Sequence, residues 1–348
     1  MNQTAKPLLI TLGDAAGIGP EIIAKAFRDD GGTTAGCVVV GDVPTLRRAA
    51  ALTAKPLPLP VVQMRSLDDY ALLPPRCIPV LQKCELATPV PFGRISALAG
   101  KAAADCIVWA ARAVLAGQAA GMVTAPIHKL ALAAAGGTAA SFPGHTEMLQ
   151  AEAAAFLNKP VAEVPVRMML ANDELKTVLV SIHVSLRQAI EAVTFDNVLQ
   201  TLRIAHRTVS LGLGRPARIA VAGLNPHAGE GGLFGSEEQL IIAPAVAAAR
   251  VEGIDASGPF APDTVFMRAR RVAGRPHEFD VVVAMYHDQG LIPVKYLGVE
   301  QGVNVTLGLP LIRTSPDHGT AFDIAGTGHA DASSLIAAIR MARQLAAN

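Results

Sequence analysis

Short apolar runs rich in valine, isoleucine and leucine alternate with longer segments of helical period along the chain. The runs that predict strands are Leu8–Leu12, Cys37–Gly41, Gly121–Thr124, Thr177–Ile182, Arg218–Ala222, Asp280–Met285 and Val303–Leu307. The segments that predict helices are Pro20–Phe27, Ala97–Ala116, Asp196–Leu211, Ser236–Arg250 and Ser333–Leu345. Such alternation of buried strands with helices is typical of an α/β protein with a mostly parallel sheet.

The length of the chain indicates more than one lobe. At roughly 150 residues per domain, 348 residues correspond to about two domains. The sequence contains no internal repeat and no low-complexity linker. We therefore expect two lobes that are interwoven along the chain rather than joined in series.

Charge and cysteine content exclude several classes of protein. Lys and Arg number 30 against 29 Asp and Glu, and no block of like charges stands out, so a nucleic-acid partner is not expected. The four cysteines form no C-x-x-C pair, which excludes a zinc knuckle and a disulfide scaffold. We expect them to be reduced thiols.

No segment has the character of a membrane span or a secretory signal. The longest stretch without Asp, Glu, Lys or Arg is 130–146, and it contains glycines together with Ser141, Pro143 and His145. The apolar run at the N-terminus is too short for the core of a signal peptide. These observations predict no membrane association and a cytoplasmic location.

Histidines follow three of the predicted strands. His183, His227 and His287 each come shortly after the end of one of them. Ligands of open α/β sheets bind beyond the carboxyl ends of the strands. Neutral imidazole suits zinc and other late divalent ions, and three protein ligands leave a position for substrate. The pattern predicts a metal site, with a hydrogen-bonding role for each loop histidine as the alternative.

Two aspartates lie near these histidines in the sequence. Asp288 follows His287 directly, and Asp263 stands in a Pro-Asp-Thr segment before a short predicted helix. A carboxylate beside a metal-bound histidine fixes its tautomer and orientation. Both aspartates are candidates for this role, although Asp263 suits the N-cap of a helix equally well.

A second set of side chains suits an anionic ligand. Residues 144–147, Gly-His-Thr-Glu, open a predicted helix whose free N–H groups favour a phosphate or a carboxylate. Lys295, Asn304 and Arg313 interrupt an otherwise apolar C-terminal region, and arginine binds oxyanions with two parallel hydrogen bonds. Taken singly, each of these side chains is more often a solvated charge or a surface cap than a ligand-binding group.

Two glycine-rich turns differ from the common nucleotide-binding motifs. Residues 13–21, GDAAGIGPE, follow a strand and open a helix, yet they fit neither the P-loop nor the Rossmann pattern. Residues 317–326, DHGTAFDIAG, have the composition to place backbone amides against a nucleotide, although glycines alone more often indicate tight turns.

Taken together, these segments resemble the 4-hydroxythreonine-4-phosphate dehydrogenase family of pyridoxal phosphate biosynthesis. The similarity lies, in order along nearly the whole chain, in Thr11–Glu21, Gly144–Glu147, Gly223–Gly232, Met285–Gly290 and Gly302–Gly328. The resemblance implies a fold of the isocitrate and isopropylmalate dehydrogenase type, with two interwoven α/β lobes and the active site in the cleft between them. It implies a first lobe at 1–127 and 297–348 and a second, dimerising lobe at 128–296.

The resemblance also implies a metal site and a catalytic set. His183, His227 and His287 would bind one divalent ion, zinc or else magnesium, cobalt or manganese, with ligands from both subunits of a homodimer. The residues implied in catalysis are Asp263, Asp288 and Lys295. For Lys295 the implied role is either phosphate contact or proton delivery.

Substrate and cofactor residues are implied in the same way. The side chains that would hold a phosphorylated substrate are His145, Thr146, Lys295, Asn304 and Arg313. The cofactor loop would lie at 313–328 and would bind NAD or NADP. Its binding residues would be His318, Gly319, Thr320 and Asp323.

The implied activity is NAD-dependent oxidation and decarboxylation of 4-phosphooxy-L-threonine to 3-amino-2-oxopropyl phosphate. The sequence departs from the family pattern at Ala15, where proline is usual, at 182–186, and at 270–277, which resembles an insertion. Relatives in the family act on phosphorylated sugar acids or on aromatic dihydrodiols. The same chemistry on a phosphorylated threonate or erythronate, or on a dihydrodiol, is therefore the alternative. Outside this family, the histidines would also suit a metal hydrolase that needs no dinucleotide, and a phosphate-binding protein is the remaining possibility.

Overall fold

A computed structural model describes residues 6–347 of the chain. The polypeptide divides into two compact units. The first runs to Pro165 and resumes at Leu309–Ala346, and the second is Val166–Gly308. The chain leaves the first unit and later returns to it, as expected for interwoven lobes.

The first unit contains a parallel sheet. Its strands are β1 (Leu8–Thr11), β2 (Cys37–Gly41), β3 (Val61–Met64), β4 (Ile78–Gln82), β5 (Gly121–Thr124) and, after the second unit, β12 (Arg313–Pro316). Their order in space is β3-β4-β2-β1-β5-β12. Residues of β1, β2 and β5 are all buried, which explains their continuous apolar sequences.

Helices cover this sheet. They are α1 (Gly19–Asp29), α2 (Gly31–Thr34), α3 (Val43–Leu52), α4 (Ala97–Leu115), α5 (Lys129–Ala134), α6 (His145–Leu157) and α12 (Ser333–Ala346). Helices α5 and α6 pack against α4, and this places 128–165 in the first unit. The sequence prediction put that segment in the second lobe and put 297–308, which lies in the second unit, in the first.

The second unit has a mixed sheet. Its strands are β6 (Arg167–Ala171), β7 (Lys176–Leu179), β8 (Ile219–Ala222), β9 (Ala256–Phe260), β10 (Val281–Ala284) and β11 (Val303–Leu307). Their order is β11-β6-β7-β10-β8-β9, and β6 runs antiparallel to both of its neighbours while the other pairs are parallel. The prediction of an α/β fold with a mostly parallel sheet is confirmed.

The helices of the second unit are α7 (Leu186–Glu191), α8 (Phe195–Leu213), α9 (Ala243–Val251), α10 (Val265–Ala269) and α11 (His287–Tyr296). Leu179 of β7, Ala284 of β10 and Leu291 of α11 belong to one buried apolar cluster, which holds α11 on the sheet. Gly290 permits this close approach, because a Cβ there would lie 2.3 Å from a methyl group of Leu179. The cluster thereby fixes the start of α11, where His287 stands.

Within residues 6–347 no helix combines the length and the apolar character needed to cross a membrane. The four cysteines are free thiols, as expected from their spacing.

Candidate functional site

The three strands that precede the candidate metal histidines are neighbours in the second unit. β10 pairs with β7 on one side and β8 on the other, and all three run parallel. Their carboxyl ends therefore meet at one edge of the sheet. His183, His287 and His227 follow β7, β10 and β8 at that edge, as the sequence pattern predicted.

His183 and His287 lie together in one cavity. Their ring centroids are 5.8 Å apart, and the cavity has a volume of about 420 Å³. Its lining residues are Ile182, His183, Val184, Leu186, Ala189, Tyr286, His287 and Asp288. Since an imidazole nitrogen binds zinc at about 2.0–2.1 Å, two rings at this separation suit a shared divalent ion.

Asp288 orients the ring of His287. Oδ1 of Asp288 lies 2.7 Å from Nδ1 of His287, so this nitrogen donates to the carboxylate and Nε2 keeps its lone pair for a ligand. This pairing is the usual arrangement behind a metal-bound histidine. This contact is the one that the orienting role predicted for Asp288 requires.

His227 stands on an uncommon backbone turn. His227, Ala228, Gly229, Glu230 and Gly231 all have positive φ, between 44° and 79°. L-residues adopt this left-handed region at a cost and persist there where the surroundings enforce it. Such a strained run at the end of a strand is typical of a functional loop.

The buried carboxylate of Glu238 supports this turn. Its Oε1 accepts from the backbone N–H groups of Leu224 and Asn225, both at 2.7 Å, and its Oε2 accepts from the Asn225 amide at 3.0 Å. Glu238 is only 2% exposed. Sequence reasoning missed this residue, because nothing in the sequence places it beside the His227 loop.

The third histidine is not brought to the other two within one chain. Among residues 6–347, no group of three His, Cys, Asp or Glu side chains is arranged to hold a metal ion. The exposed His227 ring contacts Phe234, with centroids 6.2 Å apart. The assignment of His227 to the metal, and of the second subunit to the site, stays a prediction.

Asp263 lies at the same edge of the sheet, three residues beyond β9, and its side chain is exposed. The alternative role as a helix cap does not apply, since Thr264 occupies the N-cap position of α10. The second unit contains two further candidate residues. Lys295 stands in the last turn of α11, and Asn304 lies on β11 opposite Leu170 of β6.

The first unit contains a candidate anion site at the start of α6. The helix begins at His145, as predicted, and its N-cap Gly144 has no side chain to occupy the first backbone N–H groups. His145 and Thr146 are half-buried there. Nε2 of His145 is enclosed and has no hydrogen-bond partner among the described residues, so it is available to a ligand.

Arg313 supplies a buried positive charge near this helix. It is 5% exposed, and its Nε and a terminal nitrogen donate to Oγ1 of Thr124 at 3.0 and 2.7 Å. Burial lowers the pKa of Arg313 to about 10, and Glu147 partly offsets this effect. Burial, followed by the proximity of Arg313, holds the pKa of His145 well below its usual value. A neutral imidazole and a guanidinium cation are therefore both present to bind an anion at pH 7.

The two glycine-rich turns of the first unit lie against each other. The backbone N–H of Ile18 donates to Thr320 O at 3.0 Å, and a Cβ at Gly17 would lie 2.9 Å from that oxygen. Thr320 is buried, whereas Gly319 and Asp323 are exposed. The first turn, to which the sequence assigned no ligand, is thus the support of the predicted cofactor loop.

Two charged side chains of α1 fasten the rest of that loop. The buried carboxylate of Glu21 accepts from the N–H groups of Gly326 and Gly328 at 2.5 and 3.0 Å. Nζ of Lys25 donates to the carbonyls of Gly328 and Ala330 at 2.6 and 2.5 Å. Neither was a candidate from the sequence, although a glutamate directly after Pro20 in a glycine-rich turn was the available signal.

Two histidines, His318 in the loop and His128 beside it, make contacts with the loop. Nδ1 of His318 lies 3.0 Å from Gly319 O, and its Nε2 is enclosed without a partner among the described residues. The ring of Phe322 stacks on His128, with centroids 4.6 Å apart. The loop therefore contacts both α1 and His128.

Comparison with known proteins places this geometry in a family. Residues 33–342 match the model of "Pyridoxal phosphate biosynthetic protein PdxA". The chain is 52% identical over 345 residues to 4-hydroxythreonine-4-phosphate dehydrogenase of Beijerinckia indica, covering 97% of this chain and 95% of the relative. It is 44% identical to D-threonate 4-phosphate dehydrogenase of Salmonella typhimurium, covering 98% and 99%.

A solved structure agrees over the whole length. The crystal structure of 4-hydroxythreonine-4-phosphate dehydrogenase from Klebsiella pneumoniae is 42% identical, with a TM-score of 0.84, and the match covers 98% of this chain and all of that one. The similarity in sequence and in fold to this family therefore extends along the chain. The protein belongs to the PdxA family of pyridoxal phosphate biosynthetic dehydrogenases.

Proposed function

We propose that the protein oxidises and decarboxylates 4-phosphooxy-L-threonine with NAD or NADP, giving 3-amino-2-oxopropyl phosphate. The observation that carries the proposal is the pair of imidazoles, His183 and His287, that line one cavity beside Asp288. The choice of this substrate is supported by the 52%-identical relative, which is a 4-hydroxythreonine-4-phosphate dehydrogenase. Secondary-alcohol oxidation next to a carboxylate is the kind of chemistry such a donor set supports.

The proposed metal site uses the second unit. His183 and His287 would hold the ion, and His227 would complete the set, from the same subunit or from its partner. Zinc suits three imidazoles best, with magnesium, cobalt or manganese as alternatives. When bound, a divalent ion lowers the pKa of a substrate hydroxyl and stabilises negative charge on its oxygen. Asp288 keeps His287 in the required tautomer.

Phosphate binding is the proposed role of the anion-binding residues. His145, Thr146 and the buried Arg313 offer a helix N-terminus, a neutral imidazole and a guanidinium cation. Hydrogen bonds to a charged group contribute about 1.5–3 kcal/mol each, so these contacts would dominate substrate affinity. Asn304 and Lys295 complete the proposed set.

The loop that rests on α1 is the proposed dinucleotide site. A dinucleotide bound there would supply the hydride acceptor for the oxidation. His318, Gly319, Thr320 and Asp323 lie on a loop whose backbone is fixed by Glu21 and Lys25. This rigidity lets backbone groups hold a ligand at little entropic cost.

Decarboxylation follows from the product of the oxidation. The ketone stands β to the carboxylate, so the C–C bond can break with its electron pair forming an enolate, which then takes a proton on carbon. Lys295 is the proposed donor of that proton, and the alternative role is contact with the phosphate. Asp263 and Asp288 support the site from the same edge of the sheet.

A homodimer is part of the proposal. Apolar side chains on the two helices next to His183 and His287 are exposed in the single chain: Leu186 at 61%, Ile190 at 45%, Ile292 at 63% and Tyr296 at 91%. Exposed apolar groups on neighbouring helices suit contact with another protein, and this supports the proposed dimer. A second copy on this face would bring its own side chains next to the histidine cavity.

D-Threonate 4-phosphate is the second candidate substrate, since a 44%-identical relative is named for it. The two substrates differ in the group next to the reacting alcohol, an amine in one and a hydroxyl in the other. NADH formation and CO₂ release with each compound, at equal concentration and with the metal supplied, separate the candidates. A value of kcat/KM at least 10-fold higher for the amino compound supports the proposal, and the reverse ratio contradicts it.

A further inference from the structure

The ends of the three histidine-bearing strands are joined by a small hydrogen-bond network. Its centre is the peptide backbone of Met285, two residues before His287. The backbone N–H of Met285 donates to Oε1 of Gln289 at 2.7 Å, and its carbonyl accepts from the buried Ser181 hydroxyl at 3.0 Å. Ser181 itself stands two residues before His183.

Gln289 extends the network to the third histidine loop. Its Nε2 donates to the carbonyl of Gly223 at 2.8 Å, and Gly223 is the first residue after β8, four positions before His227. The same side chain thus accepts from the end of β10 and donates to the end of β8. Both functional groups of the amide are used, which fixes its orientation as well as its position.

We propose that Gln289 is a positioning residue that sets the spacing of the candidate metal histidines. It acts through Met285 on His287 and, with Ser181, on His183, and it acts through Gly223 on the strained turn that carries His227. This inference rests on the proposed function, because it concerns affinity for the divalent ion. Residues behind the ligands that fix ligand geometry typically change metal affinity by 10- to 100-fold when they are replaced.

The strands of this sheet pair without any contribution from the Gln289 side chain. β10 is already paired with β7 and β8 through its backbone, and Val180 N–H donates to Ala284 O at 2.9 Å. The side-chain bonds are made at residues that follow the three strands, namely Ser181, Gly223 and Met285. They are therefore placed to define the loops beyond the strands rather than the strands themselves.

The test is a titration of the metal-free protein with Co²⁺ in wild type and in Gln289→Met. Methionine keeps the length of the side chain but has neither the donor nor the acceptor. We expect the dissociation constant for Co²⁺ to rise 10- to 100-fold and the visible spectrum of the bound ion to change, because the ligand geometry is no longer fixed.

Gln150→Met is the matched control. Nε2 of Gln150 donates to the carbonyls of Val161 and Val164 in the first unit, so its loss removes backbone contacts of the same kind elsewhere. We expect this variant to bind Co²⁺ within twofold of wild type. Ser181→Ala, which removes only the bond to Met285 O, is expected to raise the dissociation constant by a smaller factor than Gln289→Met does.

The outcomes separate the inference from the function it rests on. Wild-type affinity and an unchanged Co²⁺ spectrum in Gln289→Met would overturn the positioning role and leave the proposed function standing. If Gln289→Met fails to fold, Ser181→Ala tests the network in its place, and wild-type affinity and spectrum in that variant overturn the role. A wild-type protein that binds no Co²⁺ contradicts the proposed function and this inference together.

Discussion

Arg313 and Asp280 are two charged side chains that the fold buries, at 5% and 2% exposed. Each bonds to specific polar partners, but the two surroundings differ. Arg313 bonds to the hydroxyl of Thr124 and brings a positive field to His145, whereas Asp280 is held between arginines. The first arrangement suits a ligand and the second suits a structural role.

Replacing Arg313 by lysine tests the anion-binding role. Lysine keeps the charge but has no planar fork for two parallel hydrogen bonds, so we expect KM for the phosphorylated substrate to rise about 10- to 100-fold. Steady-state kinetics with varied substrate measure the change. Arg112→Lys, on an exposed ion pair with Glu152, serves as the control and should leave KM unaltered. A wild-type KM in Arg313→Lys would remove this residue from the substrate site.

The lowered pKa of Asp280 predicts that the stability of the protein depends on pH. Burial alone would raise the pKa of this carboxyl, but hydrogen bonds from Arg215 and Arg218 outweigh it and hold the pKa below its usual range. A carboxyl whose folded pKa is depressed stabilises the protein above its unfolded pKa of about 3.9, and this contribution is lost as the pH falls through the folded pKa.

We therefore expect Asp280→Asn to lower the free energy of unfolding by about 2–3 kcal/mol at pH 7, since it removes charged hydrogen bonds from a buried site. The difference from wild type should shrink as the pH falls below about 4. Urea unfolding at both pH values measures it. Glu174→Gln, in an exposed pair with Arg270, is the control and should change little. A difference that does not change with pH would show that the charge of Asp280 is not responsible.

At the scale of elements, the apolar pattern predicted seven strands that the structure contains: β1, β2, β5, β7, β8, β10 and β11. It missed β3 and β4, which lie in the proline-rich segment 54–91. It also missed β6, β9 and β12, because these strands contain no β-branched apolar residue. These strands form because their neighbours offer unpaired backbone groups, which is a tertiary effect. The same limit applies to the predicted cofactor loop, whose glycines the sequence pattern singled out while it did not single out Glu21 and Lys25 as the side chains that anchor it.

Glu21 tests whether the anchored loop is the dinucleotide site. Gln at this position keeps an acceptor but places an amide N–H₂ against the backbone N–H of Gly326 or Gly328. We expect the loop to loosen and the dissociation constant for NADH, measured by fluorescence titration, to rise about 10-fold, the equivalent of roughly 1.4 kcal/mol. Co²⁺ affinity should remain that of wild type. Glu152→Gln is the control, and equal NADH affinity in both variants would place the dinucleotide elsewhere.

At the scale of the whole molecule, the sequence predicted an interwoven chain and the edge of the sheet where the histidines lie. It did so because parallel neighbouring strands place their carboxyl ends together. The sequence did not predict the lobe boundaries, since the packing of α5 and α6 on α4 depends on contacts between distant segments. The convergence of three histidines was expected with a second subunit in place, and among residues 6–347 of one chain His183 and His287 lie together without His227.

We expect dehydrogenation to require a divalent ion held by these histidines. The most direct measurement is NADH formation from 4-phosphooxy-L-threonine by protein stripped of metal with a chelator, before and after a divalent ion is added back, in wild type and in His287→Ala. We expect the stripped wild type to be inactive, zinc or cobalt to restore its activity, and His287→Ala to stay inactive with either ion. Full NADH formation by the stripped wild type would contradict this expectation.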